Sequence, residues 1–257
     1  MQKEHNKFKI IILAAGRGTR MNQDLQKALV PLGGKPMIKH LLESVAKSGI
    51  DEKPVIIVGY GKEEVMKELG DKYEYVVQNE QLGTGHAVIS AQSLLLNKSD
   101  HVLVLYGDHP LVSSNTIKKL VGKHLEYGAK ITMATVKLPD FKDWRSIFYS
   151  NFSRVIRDEN GEIIKDIQFR DTNDEEKKVT EVNPCYFCFE ANWLWSKLKT
   201  LNKNNDQKQY YLTDLVELAM KEKTKIESID IRAEEALGAN SKEELEILEK
   251  FAPKINI

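Results

Sequence analysis

Cysteine is nearly missing from this chain. Only two occur among 257 residues, Cys185 and Cys188, inside Pro184-Cys185-Tyr186-Phe187-Cys188-Phe189. A pair three apart on a strand faces opposite ways, and a zinc site needs two more ligands that none of the six histidines supplies nearby in sequence. Both are therefore expected as unpaired strand thiols, which excludes a disulfide framework. Net charge is missing as well. The 38 basic and 38 acidic side chains cancel, which removes the global electrostatic case for nucleic acid or an anionic membrane as partner. No apolar run reaches the length of a membrane span, and residues 1–7 are polar with no signal region, so a cytoplasmic location is expected. Repeats, low-complexity linkers and a hexapeptide pattern are absent too. What remains is the composition of a globule, 41% hydrophobic and 30% charged, with enough length for a substantial core.

Short apolar runs at 10–13, 55–58, 75–78, 102–106 and 131–136 alternate with helical patterns at 37–48, 62–69, 85–95 and 114–127. This βαβ rhythm predicts an α/β fold with a Rossmann-like, mostly parallel sheet, right-handed crossovers and ligands at the carboxyl ends of its strands. Beyond about residue 145 the rhythm changes. Charged turns such as Asp158-Glu159-Asn160-Gly161 and Asp171-Thr172-Asn173-Asp174 separate β-like stretches and predict a small antiparallel excursion that closes over the site. Helical patterns at 192–199, 212–221 and 242–251 follow.

The segment Leu13-Ala14-Ala15-Gly16-Arg17-Gly18-Thr19-Arg20-Met21 arrives straight after the first apolar run, with Lys27 shortly behind it. Two glycines, a threonine and two arginines let backbone N–H groups, a hydroxyl and fixed positive charge converge on a polyphosphate. The spacing is neither G-x-x-x-x-G-K-[ST] nor G-x-G-x-x-G, so a third class of nucleotide loop is required.

That loop resembles the L-A-A-G-x-G-T-R-M signature of sugar-nucleotide pyrophosphorylases, in particular the uridylyltransferase domain of N-acetylglucosamine-1-phosphate uridylyltransferases. Further segments match in order. Gln26-Lys27-Ala28-Leu29 is similar to the family's P-K-x-L, and Gln78-Asn79-Glu80-Gln81-Leu82-Gly83-Thr84-Gly85-His86-Ala87 to its Q-x-E-Q-L-G-T-G-H-A. Tyr106-Gly107-Asp108-His109-Pro110-Leu111, Tyr210-Tyr211-Leu212-Thr213-Asp214 and Gly238-Ala239-Asn240 resemble Y-G-D-x-P-L, Y-Y-[IL]-T-D and G-x-N. The resemblance implies a nucleotidyltransferase fold of the glycosyltransferase-A-like type as a single domain over 1–257. About 8–140 would form the nucleotide half, 141–240 the sugar half and 241–257 a C-terminal helix. It also implies transfer of UMP from UTP to a sugar 1-phosphate, an N-acetylhexosamine 1-phosphate or a close relative, with release of pyrophosphate. Arg20 and Lys27 become the catalytic cations. Leu13, Ala14, Ala15, Gly16, Gly18, Thr19, Gln78, Gly83, Thr84, Tyr106 and Gly107 become nucleotide contacts, with Gln78 at the base edge. Asp108 and Asn240 become ligands of a Mg2+ ion that keeps most of its waters. Asn240 also admits a reading as a residue of a helix N-cap region. His86 and His109 are read as structural, and replacement of His109 as nearly silent. Bifunctional relatives carry an acetyltransferase β-helix that is not expected here.

The acceptor half departs from the family. Ser153 stands where relatives have a glycine in Y-G-R, Gln168 where they place a glutamate, and Asn183-Pro184-Cys185 where they have N-T-G. Ser153, Gln168 and Asn183 are the expected sugar contacts. A glutamine donates as well as accepts, so Gln168 can face a carbonyl or an anionic group that a glutamate would repel. The departures predict that N-acetylglucosamine 1-phosphate is not the optimal acceptor. A different phosphorylated acceptor, with another pyrimidine nucleotide, and a non-catalytic nucleotide-sugar-binding regulator are the alternatives. A binding module has little need for Arg20, Lys27, Asp108 and Asn240 together.

Overall fold

The computed structural model describes residues 6–16, 25–203, 205 and 208–252. In chain order its strands and α-helices begin with β1 (Phe8–Ala14), β2 (Pro31–Leu32), β3 (Lys35–Pro36), α1 (Met37–Ser48), β4 (Val55–Val58), α2 (Lys62–Leu69) and β5 (Glu74–Val77). Next come α3 (Thr84–Ser90), α4 (Gln92–Leu95), β6 (His101–Tyr106), α5 (Ser114–Tyr127), β7 (Ile131–Lys137), α6 (Ile147–Asn151), β8 (Ser153–Arg157) and β9 (Ile163–Ile167). The remainder are β10 (Glu181–Asn183), β11 (Phe187–Glu190), α7 (Ala191–Leu198), α8 (Asp214–Lys221), β12 (Ile226–Asp230) and α9 (Lys242–Phe251).

Strands β5, β4, β1 and β6 pair in parallel in that order. β11 then lies antiparallel between β6 and β7, and β12 adds in parallel to β7. The first strand explains why its sequence is an apolar run instead of an alternation. Ile10 and Ile12 pack with residues of α1 and α5 on one face, Ile11 and Leu13 with residues of α3, α7 and α8 on the other. A strand buried on both faces has no polar positions to spare. β2 and β3 form a separate two-stranded hairpin.

The antiparallel excursion is a second small sheet, in which β10 pairs with the end of β7, β8 with β10 and β9 with β8. β10 and β11 run along the same strand β7, interrupted by Pro184, Cys185 and Tyr186. Here the structure corrects the expectation of one unbroken strand through both cysteines. Cys185 takes the left-handed conformation, φ +66°, and the Asn183 side-chain oxygen accepts its N–H at 2.7 Å. Proline has no N–H for the ladder and asparagine offers a competing acceptor, so the chain turns. Cys188 lies in β11, and both thiols are free. Two helices also differ from their patterns. The one expected over 85–95 divides at Ala91, and the one expected from residue 212 starts at Asp214. In the second case the N–H groups of Tyr210 and Leu212 are committed to the loop before α3. Among the described residues no helix is long and apolar enough to cross a membrane.

At the amino end of β6, away from the carboxyl ends, His101 Nδ1 lies 3.1 Å from His124 Nε2, and His124 Nδ1 lies 3.0 Å from Thr132 Oγ1. Burial, reinforced by the neighbouring His101, lowers the His124 imidazole from 6.5 to about 4. The unfolded chain therefore binds this proton more tightly. Stability from His124 is complete above about pH 6.5 and is lost as pH falls toward 4, by up to roughly 3 kcal/mol. Replacement His124→Gln should flatten the stability–pH curve between about pH 4.5 and 6.5 in denaturant titrations, and an unchanged slope would contradict a neutral buried imidazole.

Candidate active site

The carboxyl ends of the parallel strands open on a cavity of about 250 Å³. Leu13, Ala14, Ala15 and Gly16 line it from the end of β1, Gln78, Gly83 and Thr84 from the segment after β5, and Tyr106 and Asp108 from the end of β6. Lys27 enters from a 3₁₀ turn, Lys27–Leu29. Gly107 is the exception among the candidates placed here. Its N–H donates to Leu13 O at 2.9 Å, joining β6 to β1, and it does not line the cavity. Gly18, Thr19 and Arg20 lie outside the described residues. Gln26 takes on a positioning task that its place in the sequence did not announce. Its Nε2 donates to Ala14 O and its Oε1 accepts from Ala28 N–H, both at 2.7 Å, so the turn carrying Lys27 is tied to the end of β1.

The Lys27 ammonium forms an ion pair with Asp108 Oδ2 and donates to Asn240 Oδ1. Both oxygens thus point at one cation, although Lys27 and Asn240 are 213 residues apart in sequence. Burial works against the charged carboxyl of Asp108, but Lys27, helped by His109, outweighs it and holds the group below the usual carboxylate range. A carboxylate oxygen and an amide oxygen converging on one positive charge form a donor set that suits a hard divalent cation. Asn240 is not the cap of α9. Ser241 caps it, accepting from Glu244 N–H at 3.2 Å, which leaves the Asn240 side chain free to face Lys27.

Two glycines are required by close approaches. A Cβ on Gly238 would lie 2.6 Å from His109 Nε2, and Ala239 N–H donates to Asp108 O at 3.4 Å, so the segment bearing Asn240 docks directly on the one bearing Asp108. His109 is itself held, its Nδ1 2.6 Å from the Tyr186 hydroxyl, which donates to Glu235 O at 2.8 Å. It packs beneath the segment that bears Asn240, as a structural residue would. Gly83, at φ +107°, is the other case. A Cβ there would lie 2.6 Å from Tyr210 O. Tyr210 N–H donates to Leu82 O and Gly85 N–H to Tyr210 O, both at 2.8 Å, while Leu212 N–H donates to Thr84 Oγ1 at 3.0 Å. The 210–214 segment thus clasps the 82–85 loop. Gln78 serves the same loop, its Nε2 donating to Gly83 O and to His86 Nδ1, each at 3.1 Å.

In the small sheet, Ser153 and Asn183 are cross-strand partners and both are buried. Asn183 Nδ2 donates to Asp166 Oδ2 at 2.7 Å, and Gln168 Nε2 donates to Thr213 Oγ1 at 3.1 Å. Asp166 is the residue that the sequence reading missed. It lies in β9, two positions before Gln168, which caps the 3₁₀ turn after the strand, and the alternation of β9 was the signal available. Burial, with a smaller contribution from Asp214, raises its carboxyl to about 6 even though Ser153 and Asn183 oppose the shift. Asp214 is likewise raised to about 6, by burial and by Glu217 and Asp171. Arg154 follows Ser153 in β8. It is fully buried, its guanidinium donates to Phe152 O at 2.9 Å and Tyr149 O at 2.5 Å, and the rings of Phe141 and Phe169 pack 4.7 and 5.1 Å from it.

The model of the MobA-like NTP transferase domain matches residues 10–213. The bifunctional protein GlmU of Bacillus subtilis is 37% identical over 242 residues, 94% of this chain and 51% of that protein. The chain spans about half the length of the curated relatives it matches first. A putative glucose-1-phosphate thymidylyltransferase from Bacillus anthracis, solved in complex with sucrose, superposes with a TM-score of 0.78 at 20% identity, covering 97% of each chain. CMP:2-keto-3-deoxy-manno-octonic acid synthetase complexed with CTP gives 0.71 at 14% identity, covering 96% of this chain and 99% of the other. Both structures share the fold.

The raised Asp166 carboxyl has a measurable consequence. Its folded value, about 6 against an ordinary 3.8, means that stability is complete below about pH 4 and is lost as pH rises through 6. Asp166→Asn, which mimics the protonated form, should be more stable than the parent at pH 8 by about 1–3 kcal/mol, with the difference closing toward pH 4. Thermal melts at the two pH values decide it, and a variant less stable at pH 8 would refute the assignment.

Proposed function

The chain belongs to the MobA-like NTP transferase family, and on that premise we propose that its site transfers a nucleotidyl group, UMP from UTP, to a sugar 1-phosphate of the hexosamine type. The observation that carries this reading is the convergence of Asp108 and Asn240 on Lys27 at the edge of a cavity lined by Gln78, Gly83 and Thr84. An acceptor phosphate oxygen attacks the α-phosphorus of the triphosphate, the bond from that phosphorus to the bridging oxygen breaks, and pyrophosphate leaves with the electron pair. The attacking phosphate monoester, with a second pKa of about 6, is already ionised at neutral pH, so no general base is needed. The requirements are in-line placement and neutralised charge. Lys27 supplies a point charge at the α-phosphate. Arg20, whose planar fork suits a pyrophosphate, braces the leaving group. The amide of Gln78 and the backbone at Gly83 and Thr84 meet the base and ribose, and Leu13, Ala14, Ala15 and Gly16 with Gly18 and Thr19 admit the phosphates closely. Asp108 and Asn240 would hold Mg2+, which would supply positive charge against the phosphates. A cytoplasmic setting, where nucleoside triphosphates are available, fits the same reading.

A second reading differs in the nucleotide. The neighbour solved with CTP shares the fold, and a CTP-dependent reaction on the same machinery is tested in the same assay.

Pyrophosphate release with Mg2+, UTP or CTP, and a panel of sugar 1-phosphates should show magnesium-dependent turnover. Arg20→Ala and Lys27→Ala should each lower kcat by at least about 100-fold, and Asp108→Asn should do the same with a weakened magnesium response. Near-normal turnover in all three variants would sink the proposal.

A further inference from the structure

Asp108 lies in the segment between β6 and α5, and Asn240 lies between the 3₁₀ turn Ala233–Ala236 and α9. Neither residue stands in a strand or a helix, so contacts between the two segments must set the gap between the oxygens that face Lys27. Two side chains that do not line the cavity supply those contacts.

The first is Glu235, buried within the 3₁₀ turn. Its carboxylate reaches the amino end of α5, where Oε2 accepts from Ser113 N–H at 2.9 Å and from the Thr116 hydroxyl at 2.6 Å. Oε1 accepts from Arg232 Nε at 3.3 Å, and Ser113 is itself the cap of α5. The second is Tyr186, the fully buried residue that follows the bend at Cys185. Its one hydroxyl proton goes to Glu235 O, so the hydroxyl oxygen is left to accept from His109 Nδ1. The Tyr186 ring meets the His109 ring edge-on, with centroids 5.5 Å apart. The Asn240 segment is thereby fastened to the Asp108 segment twice, at the start of α5 and at the residue next to Asp108. Gly238 packed on His109 and Ala239 N–H donating to Asp108 O then leave the two segments one mutual position.

A satisfied buried polar network specifies a single arrangement, which apolar packing alone does not. Mg2+ demands near-ideal octahedral geometry, and a shift of about 0.5 Å in one ligand is enough to loosen such a site. We propose that Tyr186 and Glu235 are positioning residues for the divalent cation: they fix the gap between Asp108 and Asn240, and metal-dependent binding of the triphosphate depends on them. The proposal rests on the nucleotidyl-transfer reading and names what holds its metal ligands in place.

Calorimetry on the full chain tests it, with an α,β-methylene triphosphate of uridine or cytidine as the probe. Its affinity is measured with saturating Mn2+ and with EDTA, and the ratio is the gain that the metal confers. The parent should show a gain of at least about tenfold. Tyr186→Phe, which keeps the ring and deletes the hydroxyl, and Glu235→Ala should each cut that gain by at least about threefold, with the metal-free affinity within about twofold of the parent. Glu235→Gln, which keeps one acceptor oxygen, should lie between Glu235→Ala and the parent. Tyr75→Phe, which loses a hydroxyl bond to Gly70 O on the outer strand β5, should leave the gain unchanged. A gain unchanged in Tyr186→Phe and both Glu235 variants overturns the positioning role and leaves nucleotidyl transfer, judged by turnover of the parent, standing. Equal losses of metal-free and metal-dependent affinity show general distortion of the site and also overturn it. A parent with no gain overturns the proposal at its base, and one that also lacks turnover overturns both readings.

Discussion

One ammonium group carries the organisation of this protein's candidate site. Lys27 projects from a turn tied by Gln26 to the end of β1, and it gathers Asp108 from the end of β6 and Asn240 from the segment before α9. Three stretches that are remote in sequence are thereby joined at one partly buried charge. The cost of burying Asp108 is offset by the pairing, and removal of either partner would leave an uncompensated charge in a low-dielectric setting. The docking of Gly238 on His109 completes the junction, since any larger residue there would push Asn240 away.

The main cavity and the small antiparallel sheet beside it are built on different physical terms. Around the first cavity, backbone approaches dominate: Tyr210 is clasped between Leu82 and Gly85, and Gln78 is anchored on Gly83. These contacts satisfy themselves within the chain. Among β8, β9 and β10, buried polar side chains dominate, with Asn183 donating to Asp166 and Ser153 beside both. Cys185 stands at the boundary, in a left-handed conformation that glycine would adopt with less strain.

Much of the fold was legible because burial on both faces of a parallel sheet leaves apolar runs such as 10–13 and 102–106 that punctuation by glycine and charge makes easy to delimit. The motifs around Gly83 and Gly238 were legible for a related reason, since close backbone approach restricts residue type. Three things were not. Asp166 lay in a stretch that read as charged strand, and its environment arises from β8, β9 and β10 pairing across sequence. The bridge from Lys27 to Asn240 spans 213 residues and exists only through topology. The bend at Cys185 was hidden because Pro184 and the Asn183 side chain act together, whereas the apolar pattern around them still spells a strand.

The claim that the Lys27–Asp108 pair organises the site is tested most directly by a double-mutant cycle on unfolding free energy, using Lys27→Met, Asp108→Asn and the combined variant at neutral pH. The account predicts that the double variant loses less stability than the sum of the single variants, by at least about 1.5 kcal/mol. Additivity within about 0.5 kcal/mol would show that the two charges are independent and would contradict it.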